Sequence, residues 1–264
     1  MPLIVGGSDG NKYVVKPSGS GEGLLSNVSE WLAIRLGRML QIPVLEPVFL
    51  MIDDGFAEEA GDPEIIELLE KSAGINFGTR YLENVSAFNE RNARRVDASL
   101  KRNIFLYDLF LLNIDRTSGN PNMIFDGDEL FCLDFSSSIT MRSSIDGRDY
   151  REQAFLRHIK NHPFYGDDTN ADEFIKRVKA IGDKSIRDII DELPGEWMRK
   201  LRPGRDAVEA RRGIGDRLID KKNGANSLTL RLEELRTLEI ETEEERKLRI
   251  LKNKEEFERR FGKL

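Results

Sequence analysis

The sequence predicts an α+β protein with a strand-rich N-terminal lobe and a larger helical C-terminal lobe. Short β-type runs separated by turn signals dominate up to about residue 83. A helix that is apolar on all sides follows, and a polar loop and a second hairpin separate it from a long run of helical patterns. We therefore expect an N-terminal lobe at residues 1–83, a helical lobe at 84–228 and a helical extension at 229–264.

The first two strands are expected at residues 3–5 and 12–16, because an Asp-Gly turn signal separates two β-type runs. A Gly/Ser-rich loop follows, and then a helix with apolar residues at helical spacing. Asn27 is the predicted N-cap of this helix, and Glu30 stands three residues later, as in a capping box. Pro43 is expected to end the helix because proline has no backbone N–H.

Two further strands, at residues 44–52 and 75–82, and a short acidic helix at 63–72 are expected to complete the N-terminal lobe. The buried helix covers residues 100–112, and strands at 123–125 and 130–133 form a second hairpin around another Asp-Gly signal. Later helices are predicted at 171–181, 185–193, 205–221 and 230–238, and a last one after a capping box of Thr242 and Glu245.

The composition disfavours several classes of function. With 39% hydrophobic and 33% charged residues, the 264-residue chain is typical of globular proteins with a charged surface. No apolar run is long enough to span a bilayer and the N-terminus does not resemble a signal peptide, so we expect no membrane contact. The net charge of −6 disfavours nucleic acid as a partner. The basic stretch 199–222 would either meet an acidic partner or form a solvated helix face.

Cysteine and histidine give little indication of redox or metal chemistry. Cys132 is the single cysteine, which excludes an internal disulfide and fits a cytoplasmic protein. It lies in an apolar strand pattern, where it is expected to fill the core. His158 and His162 are the two histidines, and their charged helical surroundings favour a solvated surface over a metal site.

The first candidate for chemistry is Lys16, at the end of the strand Tyr13-Val14-Val15-Lys16. A lysine at the end of such a strand is typical of kinases, in which the ammonium group contacts the α- and β-phosphates of ATP. The alternative is an exposed lysine at a strand end. Glu30, on the next helix, either pairs with Lys16 or serves as the capping-box glutamate.

The strongest signal lies in the polar loop after the buried helix. Asp115 is followed five residues later by Asn120, which is the D-x-x-x-x-N spacing of a kinase catalytic loop. Asp115 would accept or orient the proton of the substrate hydroxyl, and Asn120 would bind Mg²⁺ through its amide oxygen. The alternative is an ordinary turn rich in Asp, Asn, Ser and Gly. Asp108, inside the buried helix, is expected to brace this loop because a buried carboxylate needs hydrogen-bond donors.

Asp134 follows the last apolar strand directly, as the metal-binding aspartate of kinases does. It would link Mg²⁺ to the β- and γ-phosphates, since Mg²⁺ prefers carboxylate and phosphate oxygens. Alone, Asp134 is a carboxylate at a strand end. In series with Lys16, Asp115 and Asn120, it predicts phosphoryl transfer from ATP.

These residues lie in stretches that resemble the HipA-like kinase family. The resembling stretches are Tyr13-Val14-Val15-Lys16, Glu30-Trp31-Leu32-Ala33, Phe77-Gly78-Thr79-Arg80-Tyr81-Leu82, Leu112-Asn113-Ile114-Asp115-Arg116, Gly119-Asn120, Leu133-Asp134 and, more weakly, Leu193-Pro194-Gly195-Glu196-Trp197. The resemblance implies a protein-kinase-like two-lobed fold, ATP and Mg²⁺ as cofactors, and Ser or Thr of a protein as the acceptor. It also implies that Tyr81, Leu82 and Glu83 form the hinge whose backbone contacts adenine.

The sequence departs from the family at two points. Thr117 stands where the family's catalytic loop has a histidine, and few residues precede Lys16. The phosphate loop is therefore expected either at residues 6–8 or in the later loop that contains Gly19 and Gly21. These departures leave two alternatives to a protein kinase: a kinase-like protein that binds a nucleotide or a partner without turnover, and a small-molecule or lipid kinase.

Overall fold

The computed structural model describes residues 2–21, 23–166, 169–204 and 206–239. The strands are β1 (Leu3–Gly6), β2 (Lys12–Lys16), β3 (Pro47–Ile52), β4 (Gly74–Arg80), β5 (Ser86–Ala87), β6 (Met123–Asp126) and β7 (Glu129–Cys132). The helices are α1 (Gly23–Met39), α2 (Pro63–Lys71), α3 (Ala98–Leu111), α4 (Ile139–Asp146), α5 (Gln153–Ile159), α6 (Asp172–Ala180), α7 (Asp183–Asp191), α8 (Gly195–Leu201), α9 (Ala207–Asn223) and α10 (Ser227–Thr237).

This arrangement confirms the predicted α+β class. The helix predicted after Thr242 and Glu245 lies outside the described residues. Within those residues, every helix is too short or too polar to cross a lipid bilayer.

The first sheet is antiparallel and has the strand order β1-β2-β4-β3. Lys16 of β2 pairs with Phe77 of β4, which in turn pairs with Phe49 of β3. These three residues share one face of the sheet, and α1 packs on that face, where Trp31 stacks on Phe49 with ring centroids 3.9 Å apart. Helix α2 covers the opposite face around an apolar cluster that includes Val15. Lys16 therefore points to the side of the sheet where α1 lies.

Helix α1 begins at Gly23, so the prediction that Asn27 caps it is wrong. Gly23 has a φ of +61° and its N–H donates to the carbonyl of Ser20, which lets the helix begin one turn earlier than expected. Asn27 is buried in the second turn instead. Glu30 therefore cannot be the third residue of a capping box.

The buried helix is confirmed as α3, whose residues from Ile104 onward are all buried. The side chain of Asp97 caps its start by accepting a hydrogen bond from the N–H of Leu100. Leu112 adopts a left-handed conformation, with a φ of +49°, and ends the helix. The chain then turns into the polar loop, and the hairpin of β6 and β7 follows as predicted, with β5 as a third strand.

Helix α4 is the main element that the sequence did not predict. Its composition is rich in serine, whose hydroxyl groups compete for backbone partners and usually disfavour helices. Here they are satisfied within the fold: Ser138 caps α4 and donates to the carbonyl of Leu111, and Ser144 donates to the carbonyl of Thr140. The four later helices lie within three residues of the predicted bounds, whereas α5 and α8 were not predicted individually.

The basic stretch 199–222 is only partly the solvated face that the sequence favoured. Arg202 and Arg217 donate to carbonyls at the end of α4, next to a cavity of about 220 Å³. Lys222 is buried and pairs with Asp183. Much of the positive charge is therefore used to hold helices together.

Helix α10 also packs into the fold, because Arg231 donates to the carbonyls of Leu109 and Phe110 at the end of α3. The predicted boundary between residues 228 and 229 falls inside this helix.

Candidate active site

Three charged residues that are distant in sequence meet between the first sheet and the end of β7. The ammonium nitrogen of Lys16 lies 2.9 Å from Oδ1 of Asp134 and also bonds Oε1 of Glu30. Next to these groups is a cavity of about 280 Å³. The described residues that line it are Pro2, Lys16, Ser20, Ser26, Asp115, Asp134, Ser136 and Ser137. The structure thus brings Lys16, Asp115 and Asp134 to one cavity.

Glu30 is the buried connection within this cluster. Its side chain is almost fully buried, and its Oε1 atom accepts hydrogen bonds from the N–H groups of Phe135 (2.8 Å) and Ser136 (3.1 Å), besides the Lys16 ammonium. One oxygen atom therefore links β2, α1 and the segment after β7. Glu30 was expected either to pair with Lys16 or to serve in a capping box, and in the structure it pairs with Lys16.

Asp134 ends its strand in a left-handed conformation with a φ of +54°, which aspartate tolerates better than most residues. The hydroxyl of Ser136 donates to its Oδ1 atom at 2.6 Å. Within the described residues, its Oδ2 atom accepts no hydrogen bond. Ser136 was not predicted to be a site residue. Its only signal in the sequence is a hydroxyl two residues after an aspartate, which is a common local hydrogen-bonding pattern.

Burial and charge move the three pKa values in different directions. Burial raises the pKa of Glu30 to about 7, against the opposing effect of Lys16. Burial alone would also raise the pKa of Asp134, but the Lys16 ammonium and the Ser136 hydroxyl outweigh it and lower that pKa. For Lys16, burial would lower the pKa, but Glu30 and Asp134 outweigh it and raise it. Asp134 is therefore ionised at neutral pH.

Side chains of the predicted catalytic loop form hydrogen bonds with one another. Oδ2 of Asp115 accepts hydrogen bonds from the amide groups of Asn120 and Asn122, each at 3.0 Å. Thr117 exchanges backbone hydrogen bonds with Asn120, and the hydroxyl of Thr117 also accepts a hydrogen bond from the backbone N–H of Asn120. Asn120 is exposed, and no hydrogen bond joins it to Asp134 in the part of the chain that the structure describes. Its connection to the cavity runs through Asp115.

A buried ion pair supports this loop from below. Nε of Arg116 lies 2.6 Å from Oδ2 of Asp108, and both side chains are essentially inaccessible to solvent. Nη1 of Arg116 donates to the carbonyls of Pro121, Asn122 and Leu133, at 2.5–3.2 Å. Asp108 therefore braces the loop as expected. It acts directly, by accepting a hydrogen bond from the amide group of Asn113 at 2.8 Å, and through Arg116, which also holds the residue before Asp134.

The prediction that His162 lies on the surface is wrong. Helix α5 ends at Ile159, and the chain then turns inward, so that His162 is buried while His158 is exposed. Nε2 of His162 lies 3.0 Å from Oδ2 of Asp108, and Nδ1 accepts a hydrogen bond from the N–H of Phe164. Because Nδ1 acts as an acceptor, the ring is neutral and donates to Asp108 through Nε2.

The neutral state of His162 predicts a pH dependence of stability. Burial lowers the pKa of His162 below its ordinary value of 6.5, although Asp108 partly offsets this effect. Below about pH 6.5 the unfolded chain binds a proton that the folded chain does not. The free energy of unfolding is therefore expected to fall on acidification, by up to about 1.4 kcal/mol per pH unit, until the pH reaches the folded pKa.

Urea denaturation between pH 5 and 8 measures this dependence. The variant His162→Gln is expected to be less stable at pH 8 and to lose that part of the slope. His158→Gln, at the other histidine of the chain, is the matched control. A His162→Gln variant with the wild-type slope would refute the assignment.

The predicted hinge residues connect the two sheets, since β4 ends at Arg80 and β5 begins at Ser86. The N–H of Tyr81 donates to the carbonyl of Lys12 and is thus engaged in the first sheet. In the described residues, the N–H groups of Leu82 and Glu83 have no hydrogen-bond acceptor. The contact of this segment with adenine stays a prediction.

Gly19 and Gly21, the predicted phosphate-loop glycines, do not line the cavity. The N–H of Gly19 donates to the hydroxyl of Ser72, and a Cβ at this position would lie only 2.5 Å from that of Lys71. Gly19 is therefore required by packing against the end of α2. Of the described residues of this loop, Ser20, which lies between the two glycines, lines the cavity.

Comparison with known families identifies the family to which the chain belongs. The profile of the HipA-like kinase family matches residues 1–212 of the 264-residue chain, a range that includes all the site residues described above. Comparisons with curated proteins and with solved structures gave no significant match. Kinases transfer a phosphoryl group from ATP with the help of a divalent metal. The chain belongs to the HipA-like kinase family.

Proposed function

We propose that this chain is an ATP- and Mg²⁺-dependent phosphotransferase with a two-lobed protein-kinase-like fold, and that it phosphorylates Ser or Thr of a protein. The observation that carries the proposal is the meeting of Lys16, Glu30 and Asp134 at a cavity that Asp115 also lines. An ammonium group, an ionised carboxylate and a second carboxylate near the acceptor are what phosphoryl transfer requires. The acceptor class is inferred from the resemblance to the family alone.

The topology supports the two-lobed arrangement. Helix α1 lies between β2 and β3 in the chain and carries Glu30, the partner of Lys16.

Apolar side chains of both sheets would surround the base of the nucleotide. Val14 lies two residues before Lys16 and therefore on the same face of the first sheet, where it pairs with the exposed Ile4. In the second sheet, Ile124 and Phe131 are paired and half-buried, on the face opposite the core. These apolar side chains would accept the base of the nucleotide.

The donor atoms fit a magnesium ion that completes its shell with phosphate and water oxygens. Among the described residues no cluster of three or more His, Cys, Asp or Glu side chains forms a metal site, so phosphate and water would have to supply most of the ligands. Oδ2 of Asp134 and Oδ1 of Asn120 accept no hydrogen bond from those residues, so both oxygens are available. A divalent cation held there would neutralise the negative charge of the phosphate oxygens.

Side chains of the protein would bind the phosphates and accept the proton of the acceptor. Lys16 would hold the phosphates, and Glu30 would keep its ammonium group in position. Asp115 would accept the proton of the acceptor hydroxyl, while Asn120 and Asn122 fix its carboxylate. Positioned groups of this kind contribute by orientation and by electrostatic stabilisation.

Mass spectrometry after incubation with ATP and Mg²⁺ tests the proposal. The wild-type protein, alone or with a generic protein acceptor such as casein, is expected to yield phosphoserine or phosphothreonine, together with ADP. Lys16→Met is expected to reduce the yield at least a hundredfold, because one group that stabilises the transferring phosphate is lost. Lys12→Met, on the same strand but exposed, is the matched control.

Two results would contradict the proposal. If ATP raised the melting temperature but no phosphate were transferred, the chain would be a nucleotide-binding protein without turnover. If Lys16→Met retained the wild-type yield, the lysine would have no role in the reaction.

A further inference from the structure

We infer that Arg231, on helix α10, is a positioning residue that fixes the start of the catalytic loop, so that the rate of phosphoryl transfer depends on a helix beyond the match to the kinase family. The inference rests on the proposed function. The family profile ends at residue 212, whereas α10 comprises Ser227–Thr237. Arg231 is not among the described residues that line the cavity, so it would act through the backbone that carries Asp115.

The end of helix α3 determines where the catalytic loop begins. The helix ends at Leu111, Leu112 has a left-handed conformation, and Asp115 follows three residues later. The last carbonyl groups of a helix have no hydrogen-bond donor within it and carry a partial negative charge. The groups that donate to these carbonyls therefore influence how the chain leaves the helix and enters the loop.

Arg231 provides a buried cation at this end of α3. Its Nη1 atom donates to the carbonyls of Leu109 at 2.9 Å and of Phe110 at 3.1 Å. Its side chain is only 9% exposed, and its Nη2 atom pairs with Glu152, which also pairs with Lys221 of α9. A cation at the negative end of a helix is stabilising, and burial limits its screening by salt. The conformation of this helix end therefore depends on a residue of α10.

The same end of α3 connects the two parts of the candidate site. The hydroxyl of Thr140, on α4, donates to the Phe110 carbonyl at 2.9 Å. Ser138, the N-cap of α4, forms a β-bridge with Asn113 at the start of the loop. The segment that carries the proposed metal ligand leads directly into α4, and the proposed base lies two residues after Asn113. A shift of the end of α3 would therefore change the position of one carboxylate relative to the other.

Phosphoryl transfer is sensitive to such a shift. The reaction depends on positioning, and a displacement of about 1 Å caused by a distant mutation can cost about a hundredfold in rate. The hydrogen-bond partners of Arg231 among the described residues, which are Leu109, Phe110 and Glu152, also lie outside the cavity lining. Loss of Arg231 should therefore lower kcat and leave the KM for ATP unchanged.

Steady-state kinetics of ADP formation test the inference in the full-length protein. Arg231→Met is expected to lower kcat about tenfold to a hundredfold at an unchanged KM for ATP. Arg231→Lys is a milder second variant, because it keeps the charge but offers one nitrogen atom in place of two. It should stay folded and show a smaller loss of kcat at the same KM.

Arg211→Met is the matched control. Nη2 of Arg211 donates to the carbonyl of Leu193, just after the end of α7, so this variant also removes an arginine from a carbonyl that follows a helix. Its melting temperature is expected to fall as that of Arg231→Met does, whereas its kcat should equal that of the wild type. The comparison separates a loss of stability from a loss of positioning.

A double variant tests whether Arg231 acts through Asp115. Residues that act as a unit show strongly non-additive effects on rate. Adding Arg231→Met to Asp115→Asn is therefore expected to cause no further loss of the residual rate, which radiolabelled ATP measures.

The outcomes separate this inference from the proposed function. A wild-type kcat in both Arg231 variants would overturn the inference and leave the kinase assignment intact. An equal loss of kcat in Arg211→Met, a raised KM at unchanged kcat, or losses that multiply in the double variant would also overturn it. A wild-type protein that transferred no phosphate would refute both proposals.

Discussion

Replacing Asp134 by asparagine is expected to lower the rate of phosphoryl transfer about a thousandfold while the protein stays folded. Removal of a single group that stabilises developing charge typically costs a hundredfold to a thousandfold in rate, and Asp134 would also lose its metal. The fold is expected to persist because Lys16 keeps Glu30 as a partner and the Asp134 side chain is partly exposed. Initial rates of ADP formation, with circular dichroism for the fold, measure both effects.

The matched control is Asp126→Asn, at the exposed end of β6. It makes the same chemical change outside the cavity, so its activity should equal that of the wild type. A fully active Asp134→Asn protein would show that the carboxylate is dispensable, and the metal would then have to bind elsewhere.

Replacing Arg116 by methionine is expected to lower the free energy of unfolding by about 3–5 kcal/mol, which is the usual effect of breaking a buried ion pair. The variant leaves the Asp108 carboxylate buried without its cation. It also leaves the carbonyl of Leu133 without its Arg116 donor and removes one of the two donors of the Asn122 carbonyl. Since folded domains are stable by only about 5–15 kcal/mol, this is a large fraction of the total. Urea denaturation at pH 7.5 gives the value.

Adding Asp108→Leu to Arg116→Met tests the cause of the loss. Because the second change removes the unpaired charge, the double variant should be clearly more stable than the sum of the two single effects predicts. Arg102→Met, at an exposed position of α3, is the control for loss of an arginine from the surface. Strict additivity of the two single effects would show that the ion pair does not couple the two residues.

The sequence predicted those parts of the fold and site that local patterns determine. The hairpins follow from Asp-Gly turns, and α3 follows from an apolar surface on all sides. The pairing of Lys16 with Glu30 was one of two alternatives, and the structure decided it by burying Glu30 behind β2. The order of charged residues along the chain indicated a shared site, although Lys16 and Asp134 lie 118 positions apart.

The features that the sequence did not predict depend on how distant segments pack. His162 has the sequence environment of a surface helix, and only the turn after α5 brings it to Asp108. Asn27 satisfied a capping pattern, but a left-handed Gly23 allowed the helix to begin earlier.

The single oxygen of Glu30 that accepts the Lys16 ammonium and two backbone N–H groups has a mechanical consequence. Strand β2, helix α1 and the segment after β7 meet at that atom, so none of them can shift alone without breaking a buried bond. If the proposed nucleotide entered by a widening of this cavity, the movement would have to occur at other points of the chain. Residues 82–85, which lie between Tyr81 of the first sheet and β5, would be the natural pivot.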